Sequence, residues 1–526
     1  MELNIFTSLL ALIVIVFLIS ISFKRFFKRF PPPIQPGLLS PSSLHSIKEL
    51  LLFLVTNRET QRRLFITVGV LIVFRLLAYI PLPGINQEAL TALFHGADSN
   101  SPIIGSSLRF SIISLGVMPF LSACLLIQLL SAVIPHLHSA TFGDEKGRYK
   151  IVQYTYILTI GLALVQSFGL SLGLENMGDA SIVTMQRVPF RIVATVTLTA
   201  ACFLLLFLAD IINKYGIGNG IAMLVISGVL MGVLKLVYQF CHLFIERETG
   251  IFTAVLILTI IIGSLYLAFF FTSRERKIVI RGKKVQREIT IPLRLSWVAN
   301  APLMLSSTIV MLPVAIIQFS NFPLLLPIVS YLMPGTIVYI IVDGILLLFF
   351  TYIYASIIFQ PSYIQNLLQK YNFSVKKIVG KKLTDYLDSS LSEILIITAI
   401  LLFVMPRVST LISSLLSPDN NKVVAVYFVS GSIGILLFAG VFFDILSQLE
   451  FFYQKNKRPN KNFSVAYVAF DEIEAQIKSE YLRGKKIDAL VEPLRFTWGI
   501  PIRTAIDQYR IYVPEEKVKK ARKLLE

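Results

Sequence analysis

From Ile5 to Leu449 the chain is a succession of long apolar stretches broken by short clusters of charge. A helix of about 20 apolar residues spans a bilayer core, and lipid tolerates no unpaired backbone. A chain written this way folds as a bundle of membrane-spanning helices. Composition agrees: 55% of the 526 residues are hydrophobic and 15% charged, against roughly 25% charged in a soluble domain.

The first run, Ile5–Phe23, is followed by Lys24, Arg25, Lys28 and Arg29. A secretory signal carries its charge before the apolar stretch and a small-residue cleavage site after it. Residues 1–30 therefore read as an anchor helix with its N-terminus outside. Residues 31–46, "PPPIQPGLLSPSS" and its continuation, form a stiff Pro-rich linker. Ten further runs follow, approximately Leu64–Ile80, Ser111–Ile134, Ile151–Leu174, Ile192–Ala209, Ile221–Phe240, Ile251–Phe271, Ser296–Ile317, Thr336–Phe359, Leu391–Val404 and Val423–Leu449.

Lys and Arg cluster at alternate connections. Arg58, Arg62 and Arg63 precede the first of the ten runs, and Lys146, Arg148 and Lys150 precede the third. Arg274, Arg276, Lys277, Arg281, Lys283, Lys284 and Arg287 fall between the sixth and seventh, and Lys370, Lys376, Lys377, Lys381 and Lys382 between the eighth and ninth. Positive loops are held on the cytoplasmic side, which places both ends of the block there and accounts for most of the +18 net charge. Two five-helix halves joined by the longest basic loop then have opposite topologies, as in an inverted repeat.

Residues 451–462 read as a basic linker, and 463–526 as a small soluble α+β domain. Its strands fall at Ser464–Ala469, Ile487–Val491 and Tyr509–Val513 by alternation. A helix over Asp471–Leu482 carries Ile473, Ile477 and Leu482 on its apolar side, and another starts after Pro514.

Catalytic and metal chemistry find little support. Cys124, Cys202 and Cys241 lie in or beside apolar runs with no Cys-x-x-Cys spacing, as structural thiols do. His136 and His138 suit an interfacial turn. There is no His-Glu-x-x-His and no nucleophile–base pair, so neither enzyme activity, metal nor cofactor is expected. A secondary transporter of a small solute would need paired intramembrane charges, and these are sparse. Arg75 and Asp343 would each cost about 2.5–3.5 kcal/mol facing lipid at mid-bilayer, so both are expected to face the interior.

The stretch "ADIINKYGIGNGIAML" (Ala209–Leu224) sets Asp210, Asn213, Lys214, Gly216, Gly218 and Gly220 between two apolar runs. Glycines allow a sharp turn and close backbone approach, and Asn219 suits the cap of the following helix. A nucleotide loop would need a preceding strand, and here the flanks are membrane helices.

Several segments together resemble the SecY family of bacterial protein-conducting channels: "FRLLAYIPLPGIN" (Phe74–Asn86), "LGVMPFLSACLLIQLLSAVIP" (Leu115–Pro135), "GDEKGRYKIVQYT" (Gly143–Thr155), "YGIGNGIAML", "IPLRLSWVANAPLMLSS" (Ile291–Ser307) and "FFTYIYASIIFQP" (Phe349–Pro361). They run in order over roughly Ile47–Glu450, which gives a channel domain of 47–450. The resemblance implies an all-α polytopic membrane fold, a ten-helix channel of two pseudo-symmetric five-helix halves, here with an added N-terminal helix and the C-terminal domain. It also implies passage of unfolded secretory polypeptides across the cytoplasmic membrane, and of membrane segments sideways into lipid. By motif, the family's constriction falls on Val117, Leu121, Ile221, Val225, Met304 and Leu437, all apolar. A hydrophobic constriction excludes water when empty; the same residue types also suit plain helix packing.

The family's lateral gate, between the second and seventh helices, maps to Ser114, Ser122, Gln128, Ser296 and Asn300. Polar contacts there are worth on the order of 0.6 kcal/mol each, so such a seam opens without a large barrier. Ser296 stands where the family has Asn. Gln87–Arg109 matches the plug by position. Docking of cytosolic partners maps to Arg274, Arg276, Lys277, Arg281, Lys283 and Lys284, and to Lys376, Lys377, Lys381 and Lys382. Clustered cations suit ribosomal RNA phosphates. In the second loop Ile378 and Val379 replace the family's Arg and Pro. The implied partners are SecE-like and SecG-like small membrane subunits, the SecA motor, the ribosome, signal sequences, client chains and membrane lipids. The segments "EAQIKSEYLRGKKIDALVE" and "YRIYVPEEKVKKARKLLE" resemble a small bacterial signal-transducing domain.

Overall fold

The computed structural model describes residues 53–86, 110–176, 182–230, 275–294, 336–375, 422–494 and 508–525 with short gaps, and scattered positions at 88–89, 263–269, 302–310, 331–332 and 385–404. The anchor at 1–30, the linker at 31–46 and nearly all of the plug segment lie outside the described residues.

Helix α1 spans Arg58–Leu77 and starts where Asn57 Oδ1 accepts the N–H groups of Glu59 and Thr60. Turns occupy 111–117, so the second apolar run becomes helical only at α2, Met118–Val133. Pro119, close behind Val117, suits a helix start, because proline has no N–H to lose there. Helix α3 (Pro135–Phe142) bends away from α2 by 113°. Helix α4 (Glu145–Asn176) and α5 (Arg187–Tyr215) pack side by side, and Arg191 grips Glu175 through two nitrogens, the shorter contact being 2.6 Å. The chain is helical again over 220–228.

In the second half, α6 (Ile337–Ile358) leads into α7 (Pro361–Lys370), and α8 runs over Lys422–Lys457. Among the described residues, three helical segments are long and apolar enough to cross a membrane, Tyr149–Glu175, Arg187–Tyr215 and Val338–Ser356; the bent α2–α3 pair makes a fourth if it is one span.

Two expectations are corrected. The basic connection at 274–294 is a β-hairpin. Strands β1 (Glu275–Gly282) and β2 (Glu288–Arg294) set Ile278 opposite Ile291 and Ile280 opposite Ile289, pairs of β-branched side chains that favour strands. The second basic segment adds β3 (Phe373–Val375) on the other side of β1, in the order β2-β1-β3. Pro292 sits on the edge strand, where it costs no ladder bond. The linker at 451–462 is also helical through Lys457: Phe451 and Phe452 are buried, Gln454 bonds Glu450 one turn back, and Lys455 and Lys457 suit the helix end. Pro459 follows.

The C-terminal unit is a three-stranded antiparallel sheet with two helices. Strands β4 (Phe463–Ala469), β5 (Leu490–Leu494) and β6 (Gln508–Pro514) take the order β4-β6-β5. The strand expected at Ile487–Val491 begins instead at Leu490, because Lys485 and Lys486 still bond back to the preceding helix. Helix α9 (Glu472–Gly484) is capped by Asp471 and buries Ile473, Ile477 and Leu482. After the turn Glu515–Lys517, α10 (Val518–Leu525) closes the domain.

Candidate functional site

The glycine-rich stretch is a hydrogen-bonded knot between α5 and the helix at 220–228. Ile217 N–H donates to Thr67 Oγ1 of α1 at 2.8 Å, and Gly218 N–H donates to Gln448 Oε1 of α8 at 2.7 Å. Gly220 N–H donates to Asn213 Oδ1 at 2.7 Å, tying the knot to the end of α5. Asn219 Oδ1 accepts from Ile221 N–H at 3.2 Å and from Ala222 N–H at 3.4 Å, the expected cap. Gly218 holds φ +93°, a conformation a side chain resists. A Cβ on Gly220 would lie 1.9 Å from the Ala209 carbonyl oxygen, so only glycine fits.

This knot fixes where the next helix starts, and so where Ile221 points. Ile221 is buried in one apolar cluster with Val117 just before α2, Leu121 and Cys124 of α2, and Leu205, Leu208 and Ile212 of α5. Val225, half-buried, packs against it. From the other half of the chain come Tyr354 and Ala355 of α6 and Val441 of α8, with Leu305 packed against them. Leu121 and Tyr354 have no exposed surface, and Val117 and Ile221 retain 4% each.

Four of the six expected constriction residues therefore share one cluster. Met304 lies outside the described residues, and so does the side chain of Leu437, although its backbone is in α8. Sequence reasoning missed Tyr354 and Val441. Among the described residues of the cluster, Tyr354 is the one large polar-tipped side chain that is buried; its hydroxyl leans towards the Leu125 carbonyl at 3.5 Å. A lone Tyr pair in "FFTYIYASIIFQP" was the available signal.

At the expected gate, Ser114 is exposed, Ser122 half-buried and Gln128 buried; Ser296 and Asn300 lie outside the described residues. Arg75 faces the interior, where its guanidinium donates to the Ser227 carbonyl, and Asp343 is buried at 2% exposure. Arg276, Lys277 and Arg281 lie on β1, with Arg281 opposite Glu288 on one side and Ser374 on the other. Arg274, Lys283, Lys284, Lys376, Lys377, Lys381 and Lys382 lie outside the described residues. Gly216 N–H completes the last turn of α5 on Ile212 O. Among the described residues no cluster of side chains could hold a metal ion.

Apolar helices from both halves of one chain meet in one buried apolar cluster, as in a polytopic helical membrane protein. The SecY family profile matches residues 111–446, and the chain belongs to that family. The protein translocase subunit SecY of Rickettsia typhi is 29% identical over 430 residues, covering 76% of this chain and 95% of the relative. The subunit of the same name from Escherichia coli is 27% identical over 438 residues, covering 79% and 94%. A solved protein-conducting channel has the same fold, with a TM-score of 0.51 at 16% identity, covering 74% of this chain and 92% of that one.

Proposed function

We propose that this chain is the pore-forming subunit of a protein-conducting channel. It passes unfolded secretory polypeptides across the bacterial cytoplasmic membrane, and membrane segments sideways into lipid. The observation that carries the reading is the meeting of Val117, Leu121, Ile221 and Val225 with Tyr354 and Val441 in one cluster. Aliphatic contacts are non-directional. They part around a threaded chain and close behind it, and when empty the constriction is too apolar to hold a water column.

The remaining roles are those that the likeness to the family implies. Met304 and Leu437 complete the ring. Ser114 in the turn before α2, Ser122 and Gln128 on α2, and Ser296 and Asn300 form the lateral gate. The basic hairpin and the lysines after β3 receive the ribosome and the SecA motor by phosphate and carboxylate contacts. SecE-like and SecG-like subunits cover the exposed apolar helix faces. Driving force comes from those partners, since the channel needs no catalysis of its own. The C-terminal domain lies on the cytoplasmic side, continuous with α8.

The test is reconstitution with the small subunits and motor in vesicles loaded with no acceptor. An unfolded secretory precursor becomes protected from added protease if the reading is right. Uptake of a small solute with no precursor protection would replace it with a transporter.

A further inference from the structure

The C-terminal domain does not hang free of the channel. Gln448, buried in the C-terminal part of α8, reaches two ways at once: its Oε1 accepts from Gly218 N–H at 2.7 Å, and its Nε2 donates to the Pro493 carbonyl of β5 at 3.1 Å. One side chain thus joins the knot of the first half, the last helix of the second half and the domain. Phe53, just before α1, packs into a second link with Phe463 and Leu490 of the domain.

The second half is held on another face. Tyr371 OH, at the end of α7, donates to the Leu525 carbonyl of α10 at 3.1 Å, and its ring lies 4.9 Å from that of Tyr481 on α9. Burial pushes the Tyr371 phenol up to about 12, with Glu474 of the domain and Tyr481 adding to the shift. Ile364 and Leu368 of α7 share one core with Ile473 and Ile477 of α9, and α9 also lies against the basic strand β2.

We propose that the C-terminal domain is a clasp. Docked in this way, it ties the ends of the two halves together on the side of the basic sheet and holds the waist shut. The domain cannot leave α8, which runs into it through residues 458–462. Release therefore happens at the faces joined only by non-covalent contacts, the Tyr371 face and the Gly218–Gln448–Pro493 relay. Because α9 touches β2, a partner that grips the basic sheet acts directly on the clasp. The inference builds on the channel reading, and its test separates the two.

The pair Tyr371→Cys with Tyr481→Cys is made in a full-length chain whose Cys124, Cys202 and Cys241 are Ala. Oxidation is expected to form the disulfide and to drop precursor protection to the level of empty vesicles, and reductant to restore it. A pair that does not form, or that forms while protection is unchanged, overturns the clasp. A second arm needs no transport. Spin labels on Tyr215→Cys and Asn366→Cys, one on each half, report their separation. Gln448→Leu is expected to lengthen and broaden that distance, and an unchanged distribution overturns the proposal. Failure of the parent chain to protect any precursor would count against the channel reading alone, while the label distance still decides the clasp.

Discussion

Among the described residues, two of the places where the halves of this chain are joined differ in their chemistry. At the waist the contact is aliphatic: Val117, Leu121 and Ile221 from one half against Ala355 and Val441 from the other, with the weak Tyr354 contact to Leu125 carrying what polarity there is. On the domain side the apolar packing of Phe53, Ile364 and Leu368 is joined by directional contacts, with a donor and an acceptor of Gln448 each committed and Tyr371 bonded to the Leu525 carbonyl of the domain. Aliphatic contacts weaken gradually as surfaces part and re-form against whatever fills the gap. A hydrogen bond to a buried partner is made or lost. The difference teaches that a deformable contact and an all-or-none contact can sit in one helical frame by choice of side chain.

The largest expected effect breaks the waist. Leu121→Asp sets a carboxylate where no surface is exposed, which costs at least about 3 kcal/mol if the charge is kept. Ion flux through reconstituted vesicles is expected to rise and the thermal midpoint to fall. Gly220→Ala comes next, since its Cβ meets backbone that cannot swing aside; a loss of about 3 kcal/mol, at the top of the overpacking range, would be seen in thermal unfolding of the detergent-solubilised chain. Gln448→Leu then strips partners from Gly218 N–H and Pro493 O, about 1–3 kcal/mol for each stranded group. Hydrogen exchange is expected to speed up in β5 and in the knot together, while α4 and α5 keep their protection. The smallest effect sharpens the contrast: Leu121→Met conserves volume and costs under about 1.5 kcal/mol, with ion flux close to that of the parent. A waist that fails on this swap, or a relay indifferent to Gln448→Leu, would erase the distinction.

The glycine knot was legible in the sequence because its signals are local, whereas the waist residues were implied by the family resemblance. Asn219 precedes an apolar run, and the glycines crowd where backbone must touch backbone, so the cap and the knot read correctly from neighbouring residues alone. Arg75 in an apolar run could only face inwards. What stayed hidden depends on partners far away in the chain. Two basic loops nearly a hundred residues apart share a sheet because Ile280 pairs with Ile289 and with Val375, and neither loop announces the other. Gln448 carries no local signal of its partners, because Gly218 and Pro493 come from distant parts of the chain. The linker became helix because Phe451 and Phe452 found Phe53 and Phe463 to pack on, a tertiary gain outweighing a polar composition.

The seal at the waist is tested most directly by holding a client in transit. A secretory precursor is stalled halfway and crosslinked to cysteines placed singly at Leu121, Ile221 and Phe65, the last 75% exposed on α1. Strong adducts at Leu121 and Ile221 with none at Phe65 are predicted. Equal labelling of all three, or adducts at Phe65 alone, would contradict a path through the waist.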